Sequence, residues 1–364
     1  MKRFIMYILL TAIICILVIN AQQSITFAHE AVSICLEMII PTLFPFFICS
    51  GLLIYSGFCE VLAKLFRFCM KPLFRIGPAG SSAFILGIVS GYPLGAITAG
   101  ELYANSYLTK TEAERLLAFC NNSGPLFILG SVGIAVYSDL HIGIMLYIAH
   151  ILAALTVGII FRFYKKNDYT APPSHMTSPK RSIGEIFNIA VQNAVSSMLT
   201  VCAAVMFFSV ISRLVLNLIP LKPEADAILS GIMEFVTGTL KISALNTAIG
   251  KKLILTSLIV GFAGLSVHAQ VMAVISKYGL SLKPYLLGKL LHGIIAALYT
   301  LLYISRFPIT ATVFAPSMSK AFAAASAYEL VFAAAVVIGC IVFAVALFIK
   351  EKKALKIYEK DFNH

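Results

Sequence analysis

Two hydrophobic segments of this chain are interrupted by glycine and polar residues, one in each half. The first interruption is residues 90–96, with the sequence SGYPLGA, and it follows the apolar run 83–89. The second is residues 261–270, with the sequence GFAGLSVHAQ, and it follows the apolar run 253–260. Interruptions at corresponding places in two halves point to the substrate site of a secondary transporter. The two segments therefore predict a solute-binding site.

The first interruption predicts a site for groups that accept hydrogen bonds. Gly91 and Gly95 leave the backbone accessible, while Ser90 and Tyr92 add hydroxyl groups. If the segment folds back on itself, helix ends meet there, and free N–H groups at a helix N-terminus suit carboxylates. The alternative is a kinked helix whose glycines serve close packing.

Residues 121–125, with the sequence NNSGP, form the most polar stretch within a predicted membrane segment. Pro125 cannot donate a backbone hydrogen bond, so we expect the helix to be unwound at this point. Asn121, Asn122 and Ser123 would then face a cavity and contact a substrate. The alternative is a cluster of hydrogen bonds between helices.

The second interruption carries polar side chains at alternate positions after Gly264, namely Ser266, His268 and Gln270. His268 is the only ionisable residue deep in this segment, so it is a candidate for substrate contact or proton coupling. The alternative is a neutral imidazole that donates to a backbone carbonyl.

Three further ionisable residues are candidates for ion coupling or anion contact. Glu234 lies in segment 225–245, and a carboxylate within a membrane is a functional candidate by default, although an interfacial position would cost it little. Lys289 and His292 begin the predicted span 286–305. They could attract an anionic solute, or Lys289 could extend to the membrane surface.

The chain lacks the common sequence signatures of catalysis. It contains no HExxH, GxSxG, GxGxxG or P-loop motif. Its eight cysteines include no CxxC pair, and its seven histidines are scattered. We therefore expect no enzyme activity, no catalytic residues, no cofactor and no metal site.

The composition is that of a membrane protein. Hydrophobic residues make up 60% of the 364 residues and charged residues only 12%, whereas soluble domains have roughly 25% charged residues. The apolar runs approach the about 20 residues that a spanning helix needs. Because helices satisfy their own backbone groups in lipid, we predict an all-α polytopic protein in a lipid bilayer.

The net charge of +12 does not indicate nucleic-acid binding. Lys and Arg fall in short clusters beside apolar runs, at residues 2–3, 165–181 and 350–360. Clusters at membrane edges determine topology and contact anionic lipid headgroups. We therefore expect no nucleic-acid partner.

The chain divides into two similar halves. We predict an N-terminal transmembrane helix at 1–28, a first repeat at 29–164 with a hairpin at 80–108, a cytoplasmic linker at 165–185, a second repeat at 186–350 with a hairpin at 251–278, and a basic tail at 351–364. Residues 58–74 predict a basic amphipathic helix at the cytoplasmic interface, and segment 225–245 is its shorter interfacial counterpart. The last predicted spans are 286–305 and 330–349. If the second repeat is inverted, the tail lies outside, against the positive-inside rule, so its side is left open.

Three motifs in a fixed order carry a resemblance to a known family. They are residues 41–47 (PTLFPFF), residues 90–96 and residues 120–125 (CNNSGP). Together they resemble the family of sporulation integral membrane proteins called YlbJ, also known as SpoVV. That group carries the nucleoside-recognition gate domain and looks related to concentrative nucleoside transporters.

The resemblance implies two inverted repeats, each with an interfacial helix, a re-entrant helical hairpin and a broken transmembrane helix. It also implies a function, the movement of dipicolinic acid from the mother cell across the outer forespore membrane during sporulation. Dipicolinate is a planar pyridine dicarboxylate and hence a small anionic solute. The related nucleoside transporters carry a carboxylate in their first hairpin tip, which residues 90–96 lack.

Two alternatives to this function stay open. Within the class, the substrate is a nucleoside or another solute. In a different class, the protein is a non-transporting membrane scaffold for spore-envelope assembly. The coupling ion, H⁺ or Na⁺, and the oligomeric state are not fixed by the sequence.

Overall fold

The computed structural model of the protein describes residues 2–165, 181–307 and 309, and these are helical apart from short connections. The predicted span 330–349, the basic tail 351–364 and most of the linker 165–185 lie outside the described residues. Among the described helices, four stretches are long and apolar enough to cross a membrane, and two bent helix pairs bring the number to as many as six.

The N-terminal part of the chain consists of four helices. Helix α1 (Lys2–Ile19) and helix α2 (Ala21–Ile34) meet at a bend of 96°, and a π-helical turn leads on into α3 (Ile40–Tyr55). Helix α4 (Phe58–Cys69) follows a second bend of 72°. Together with the π-helical turn Met70–Phe74 that follows it, α4 matches the predicted amphipathic helix at 58–74. The sequence spacing of Arg75 from the other basic residues predicts that it extends the basic face of this helix, but it lies beyond the helix end with φ +53° and does not do so.

Helices α5 (Gly80–Val89) and α6 (Leu94–Ala104) pack against each other and form a helical hairpin, here called hairpin 1. The chain leaves the helical path at Gly91, where φ is +82°. This left-handed conformation costs glycine little because it has no Cβ. Residues 80–104 of the predicted segment 80–108 thus form two packed helices with a tip at Ser90–Pro93, shorter than the predicted interruption 90–96.

Helix α7 (Lys110–Leu117) begins with a capping box between Thr109 and Glu112. The chain then unwinds and resumes as a π-helical segment, Leu126–Val136. The unwound stretch contains Asn121–Gly124, as the proline at 125 predicts. The two helical parts and the unwound stretch between them are called broken helix 1. Helix α8 (Leu140–Phe161) follows as a candidate span.

The second half opens with α9 (Ile183–Leu216), whose 34 residues give a length of about 51 Å at 1.5 Å per residue. It packs along α2 and α3. Helices α10 (Pro223–Met233) and α11 (Phe235–Ala244) then pack against each other as a second helical hairpin, hairpin 2. A Cβ on Gly238 would overlap the backbone of Gly231, so glycine at 238 permits this close approach, while a Cβ on Gly231 would instead meet the Ile259 side chain.

The position of hairpin 2 corrects two predictions. Segment 225–245 is not a single interfacial helix, because it reverses direction at Glu234, which is fully buried. The predicted hairpin at 251–278 does not fold back. Helix α12 (Ile249–Phe262) and helix α13 (Gly264–Ser276) continue along one candidate span. They are interrupted where Ala263 and Gly264 both have φ +74°, and together they are called broken helix 2.

Helix α14 (Lys283–Arg306) completes the described fold and packs on α12 and α8. Each half thus contains a helical hairpin, a broken helix and a long helix in the same order. A core cluster joins the halves, because residues of broken helix 1 and α8 pack against α12. Its buried members are Ile128, Val132, Tyr137, Ile142, Met145, Leu146, Leu253 and Val260.

A polar cluster fixes the start of broken helix 1. The Arg115 guanidinium donates to the carbonyls of Arg75, Tyr164 and Lys165 at 2.8–3.0 Å. The Glu114 carboxylate accepts from Lys165 Nζ at 3.0 Å, and this hydrogen bond raises the pKa of Lys165. Glu114 also accepts from the backbone N–H of Ser281 at 3.1 Å, which ties the first half to the start of α14.

Candidate functional site

In the first half, the tip of hairpin 1 packs directly on the unwound part of broken helix 1. A Cβ on Gly91 would lie 2.9 Å from the backbone nitrogen of Gly124. Cβ atoms on Gly87 or Gly95 would overlap the carbonyl of Cys120. These glycines therefore serve the close approach of two backbones, in addition to the turn at Gly91.

The second half repeats this arrangement with different residues. A Cβ on Gly264 would lie 3.0 Å from the Gly231 carbonyl oxygen and 3.2 Å from the Phe235 backbone nitrogen. The interruption of broken helix 2 therefore packs on the tip of hairpin 2. In each half, a glycine with a positive φ angle lies where the hairpin packs on the broken helix: Gly91 in the first half and Gly264 in the second.

The two hairpin tips meet through aromatic rings. The Tyr92 and Phe235 rings are edge to face with centroids 5.4 Å apart. Phe127, just after the first break, also meets Phe235 at 5.0 Å. Ser123 Oγ lies 2.9 Å from the Tyr92 hydroxyl and donates to it. This contact between the halves joins tip 90–93 to hairpin 2.

A cavity lies beside this contact. Its walls come from both hairpin tips, both broken helices, α9 and the region around the start of α3. It is lined by Ile39, Leu43, Gly91, Tyr92, Ser123, Gly124, Phe127, Val201, Val205, Phe235, Val236 and Gln270. The volume open to the centre of a water-sized sphere is about 30 Å³, which is room for about one or two water molecules. The cavity is therefore too small for an organic solute in this conformation.

The predicted polar residues of broken helix 1 are buried at this centre. Neither polar atom of the Asn121 side chain completes a hydrogen bond in the described chain, although the amide lies beside the Tyr285 hydroxyl. Asn122 donates to the Phe119 carbonyl at 2.9 Å, and its side-chain oxygen lacks a described partner. Ser90, at the hairpin tip, shares a hydrogen bond with Ser50 of α3.

The predicted residues of broken helix 2 face the same region. His268 Nδ1 lies 3.0 Å from the Tyr285 hydroxyl, so its partner is a side chain and not the backbone carbonyl of the alternative hypothesis. The His268 Nε2 atom, Ser266 Oγ and Gln270 Oε1 are buried without a described partner. A buried polar atom without a partner costs about 1–3 kcal/mol, so this concentration around the two breaks indicates a place for water or ligand.

Lys289 and His292 lie deep between the halves. Lys289 is 1% exposed, which excludes extension to the surface. Its Nζ atom donates to the Asn121 carbonyl at 3.2 Å and lies 3.4 Å from His292 Nδ1. Among the described residues it forms no ion pair with a carboxylate.

Glu234 occupies the tip of hairpin 2 but points at its own helix. Its carboxylate accepts from the backbone N–H groups of Val236 and Thr237 at 3.0 and 2.7 Å and from the Thr237 hydroxyl at 2.8 Å. This is the geometry of a helix N-cap. The first role of Glu234 is thus to begin α11.

Sequence reasoning missed three residues that the structure adds to this centre: His150, Phe235 and Tyr285. His150 Nε2 accepts from the Ser123 backbone N–H at 3.1 Å, and its ring lies 4.3 Å from that of His292. A histidine inside the apolar span α8 is itself a signal. The two aromatic residues carry no such signal, because aromatic residues occur throughout this chain.

Comparisons with known proteins agree with the motifs. A family model described as "Gate: Nucleoside recognition" matches residues 36–124, which contain all of α3 and hairpin 1 together with the first break. The sporulation integral membrane protein YlbJ of Bacillus subtilis (strain 168) is 31% identical over 318 residues, with 78% of each chain covered. No solved structure matches the chain.

Proposed function

Since this integral membrane protein belongs to the YlbJ family of sporulation proteins, we propose that it transports a small organic anion across a membrane. In this proposal the two hairpins are re-entrant and the two halves are inverted repeats. Substrate sites of such transporters lie near the bilayer midplane, where interrupted helices of the two repeats meet. The contact of both tips and both breaks around one cavity supports this role.

The position of Lys289 is the observation that supports an anionic substrate. Its amino group is buried where the halves meet, and in the protonated form it would have no ion-pair partner among the described residues. Burying a charge without a partner costs several kcal/mol. A carboxylate on the substrate would supply the missing negative charge, and the unpaired amide of Asn121 beside it would supply a hydrogen bond.

Dipicolinate is the substrate that fits the family and this chemistry together. Its two carboxylates can be held by donors from opposite halves, and its flat ring can lie between apolar side chains such as Phe127 and Phe235. Movement from the mother cell across the outer forespore membrane is the corresponding location and direction. Because the cavity holds only one or two waters, the hairpin tips must separate before such a solute enters.

A nucleoside is the second candidate substrate. The match to the nucleoside-recognition gate model favours it, and Glu234 provides a carboxylate at a hairpin tip that could bind ribose hydroxyls. Against it, both oxygens of that carboxylate already accept hydrogen bonds from α11. The first tip carries no carboxylate at all.

Uptake into proteoliposomes tests the proposal. We expect the purified protein to take up labelled dipicolinate, with uridine neither taken up nor competing. Asn121→Ala should lower uptake at least about tenfold, which corresponds to about 1.4 kcal/mol of lost binding. Asn105→Ala is the matched control, because Asn105 is exposed at the end of α6.

Three results separate the candidates. Uridine uptake in place of dipicolinate uptake would favour the nucleoside reading. Uptake of neither, together with normal dipicolinate content in spores of a deletion strain, would favour a membrane scaffold. Equal uptake by the Asn121 and Asn105 variants would remove Asn121 from the site without affecting the transport proposal.

A further inference from the structure

The hydrogen bonds around Lys289 and His292 fix where the hydrogens lie. His292 Nε2 lies 3.0 Å from the His150 carbonyl, and a carbonyl oxygen can only accept, so Nε2 carries the hydrogen. In the neutral imidazole, Nδ1 is then a bare lone pair that faces Lys289 Nζ at 3.4 Å. Lys289 therefore donates to His292.

This arrangement holds at most one positive charge. A proton on His292 Nδ1 would point a second N–H at the Lys289 ammonium and would set two cations 3.4 Å apart. Like charges at such a distance in a buried site strongly disfavour each other. Lys289 and His292 thus act as a single site that is either neutral or singly charged.

The contacts of Lys289 are complete without its third hydrogen. A neutral amine has two N–H groups, and the structure gives Nζ two acceptors, the Asn121 carbonyl and His292 Nδ1. The third N–H group is present only when Lys289 is protonated, and no described residue accepts it. The buried site is satisfied when neutral and lacks one acceptor when charged.

The groups facing this pair supply no compensating negative charge. Broken helix 1 presents Cys120 and the Asn121 carbonyl, and α8 presents His150. Helix α14 itself adds Tyr285, whose hydroxyl forms a hydrogen bond with His268 of α13. α12, along the remaining side, contributes Ser257, which hydrogen-bonds Thr300 and does not titrate.

The buried carboxylate of α7, Glu114, is already engaged. It accepts from Lys165 Nζ and from the Ser281 backbone at the start of α14. The pair therefore has no carboxylate partner from any described element that packs against α14.

We propose that Lys289, positioned by His292, binds one proton together with one anionic substrate, so that transport is proton symport. The inference rests on the proposed function. A carboxylate beside Nζ stabilises its protonated form, and by reciprocity a bound proton strengthens substrate binding by the same factor. On loading, a water-borne proton forms an N–H bond with the Nζ lone pair. On release of the anion, that proton returns to water on the other side.

The position of Lys289 also links this charge to the hairpin tips. Its acceptor Asn121 is two residues from Ser123, whose hydroxyl donates to Tyr92 at the tip contact. His150, which accepts from the Ser123 N–H, offers its carbonyl to His292. A change at the pair therefore acts on the residues that hold the tip contact.

Proteoliposomes with a clamped membrane potential test the inference. With the outside one pH unit more acidic, wild-type protein should accumulate dipicolinate about tenfold, because one coupled proton contributes one factor of ten per unit. A pH-sensitive dye inside should report proton entry in proportion to dipicolinate entry. A proton ionophore should abolish the accumulation, and a Na⁺ gradient should not replace it.

Two variants test the residue. Lys289→Arg keeps the charge but does not give up its proton, so exchange of labelled for unlabelled dipicolinate should persist while gradient-driven accumulation is lost. Lys289→Gln keeps an N–H donor for the Asn121 carbonyl without a charge, and it should lose both. Lys251→Arg, at an exposed ion pair on α12, is the matched control and should behave as wild type.

The possible results distinguish failure of proton symport, of the role of Lys289 and of the proposed transport function. Dipicolinate uptake that ignores the pH gradient, or that follows Na⁺, overturns the inference and leaves the proposed function standing. Proton-coupled accumulation by either Lys289 variant at the wild-type level shows that the proton binds elsewhere. No dipicolinate uptake by the wild-type protein overturns both.

Discussion

The Tyr92 and Phe235 rings touch edge to face with centroids 5.4 Å apart, and through them the tip of hairpin 1 meets the tip of hairpin 2. Each ring has a second contact. The Tyr92 hydroxyl accepts from Ser123, and Phe235 packs on Phe127. The two halves of the chain are therefore held together at the cavity by a contact between elements that are far apart in sequence.

Removing the Phe235 ring should weaken this contact. Phe235→Ala deletes a buried aromatic side chain, which costs about 3–5 kcal/mol in a packed core, so we expect a clear fall in the melting temperature in detergent. We also expect faster leakage of dipicolinate from loaded proteoliposomes, because the Phe235 ring no longer fills the space between the two hairpin tips. Phe207→Ala, at a half-exposed position on α9, is the control. Equal losses in both variants would mean that the tip contact has no special weight.

Two glycines should respond to alanine in opposite directions. At Gly95 the new methyl group would overlap the Cys120 carbonyl, and overpacking against a backbone costs about 1–3 kcal/mol or more. At Gly184 no atom lies within 4 Å of the added Cβ, and alanine is about 0.5–1 kcal/mol better than glycine within a helix. Thermal unfolding of Gly95→Ala and Gly184→Ala checks this. A neutral result at Gly95 would contradict the close approach of α6 to broken helix 1.

The Tyr92–Ser123 hydrogen bond should appear as a coupling energy. Tyr92→Phe and Ser123→Ala each remove one partner and keep most of the side-chain volume. A neutral buried hydrogen bond contributes about 0.5–1.5 kcal/mol, so the double variant should be less destabilised than the sum by about that amount. Additive effects on the free energy of unfolding would show that the hydroxyls do not interact.

Variants of Glu234 distinguish a structural role of this residue from a role in substrate recognition. Glu234→Ala removes the cap of α11 and should destabilise the protein by about 1–2 kcal/mol. Glu234→Gln keeps one oxygen acceptor for the Val236 or Thr237 N–H group and should retain more stability. For an anion transporter we expect dipicolinate uptake by this variant to stay within about twofold of wild type. A loss of uridine binding would instead support the nucleoside alternative.

The sequence predicts the local interruptions of the helices well. Gly91, with its left-handed φ, and the run NNSGP before α8 interrupt helices for reasons contained in the residues themselves. A glycine accepts φ values that other residues avoid, and a proline lacks the backbone donor. The amphipathic helix α4 and the spans α8 and α14 are likewise visible in the periodicity and length of the apolar runs.

The direction of the chain after each interruption was not predictable in the same way. Residues 261–270 look more interrupted than residues 231–238, yet the former continue one span and the latter reverse. The reversal at Glu234 depends on the close contact of Gly231 with Gly238 and on the packing of the tip against Gly264. These contacts join residues that only the folded chain brings together.

The sequence by itself determined the membrane class, the helices, the broken positions and most of the polar residues at the centre, because these follow from local propensity and from the cost of burying polar groups in lipid. The tertiary structure decided which broken segment is a hairpin, and that Tyr92 meets Phe235. It also decided that Lys289 lies beside Asn121 without a carboxylate. Such relationships depend on packing between distant segments, and no single stretch of residues contains the interactions that select one packing over another.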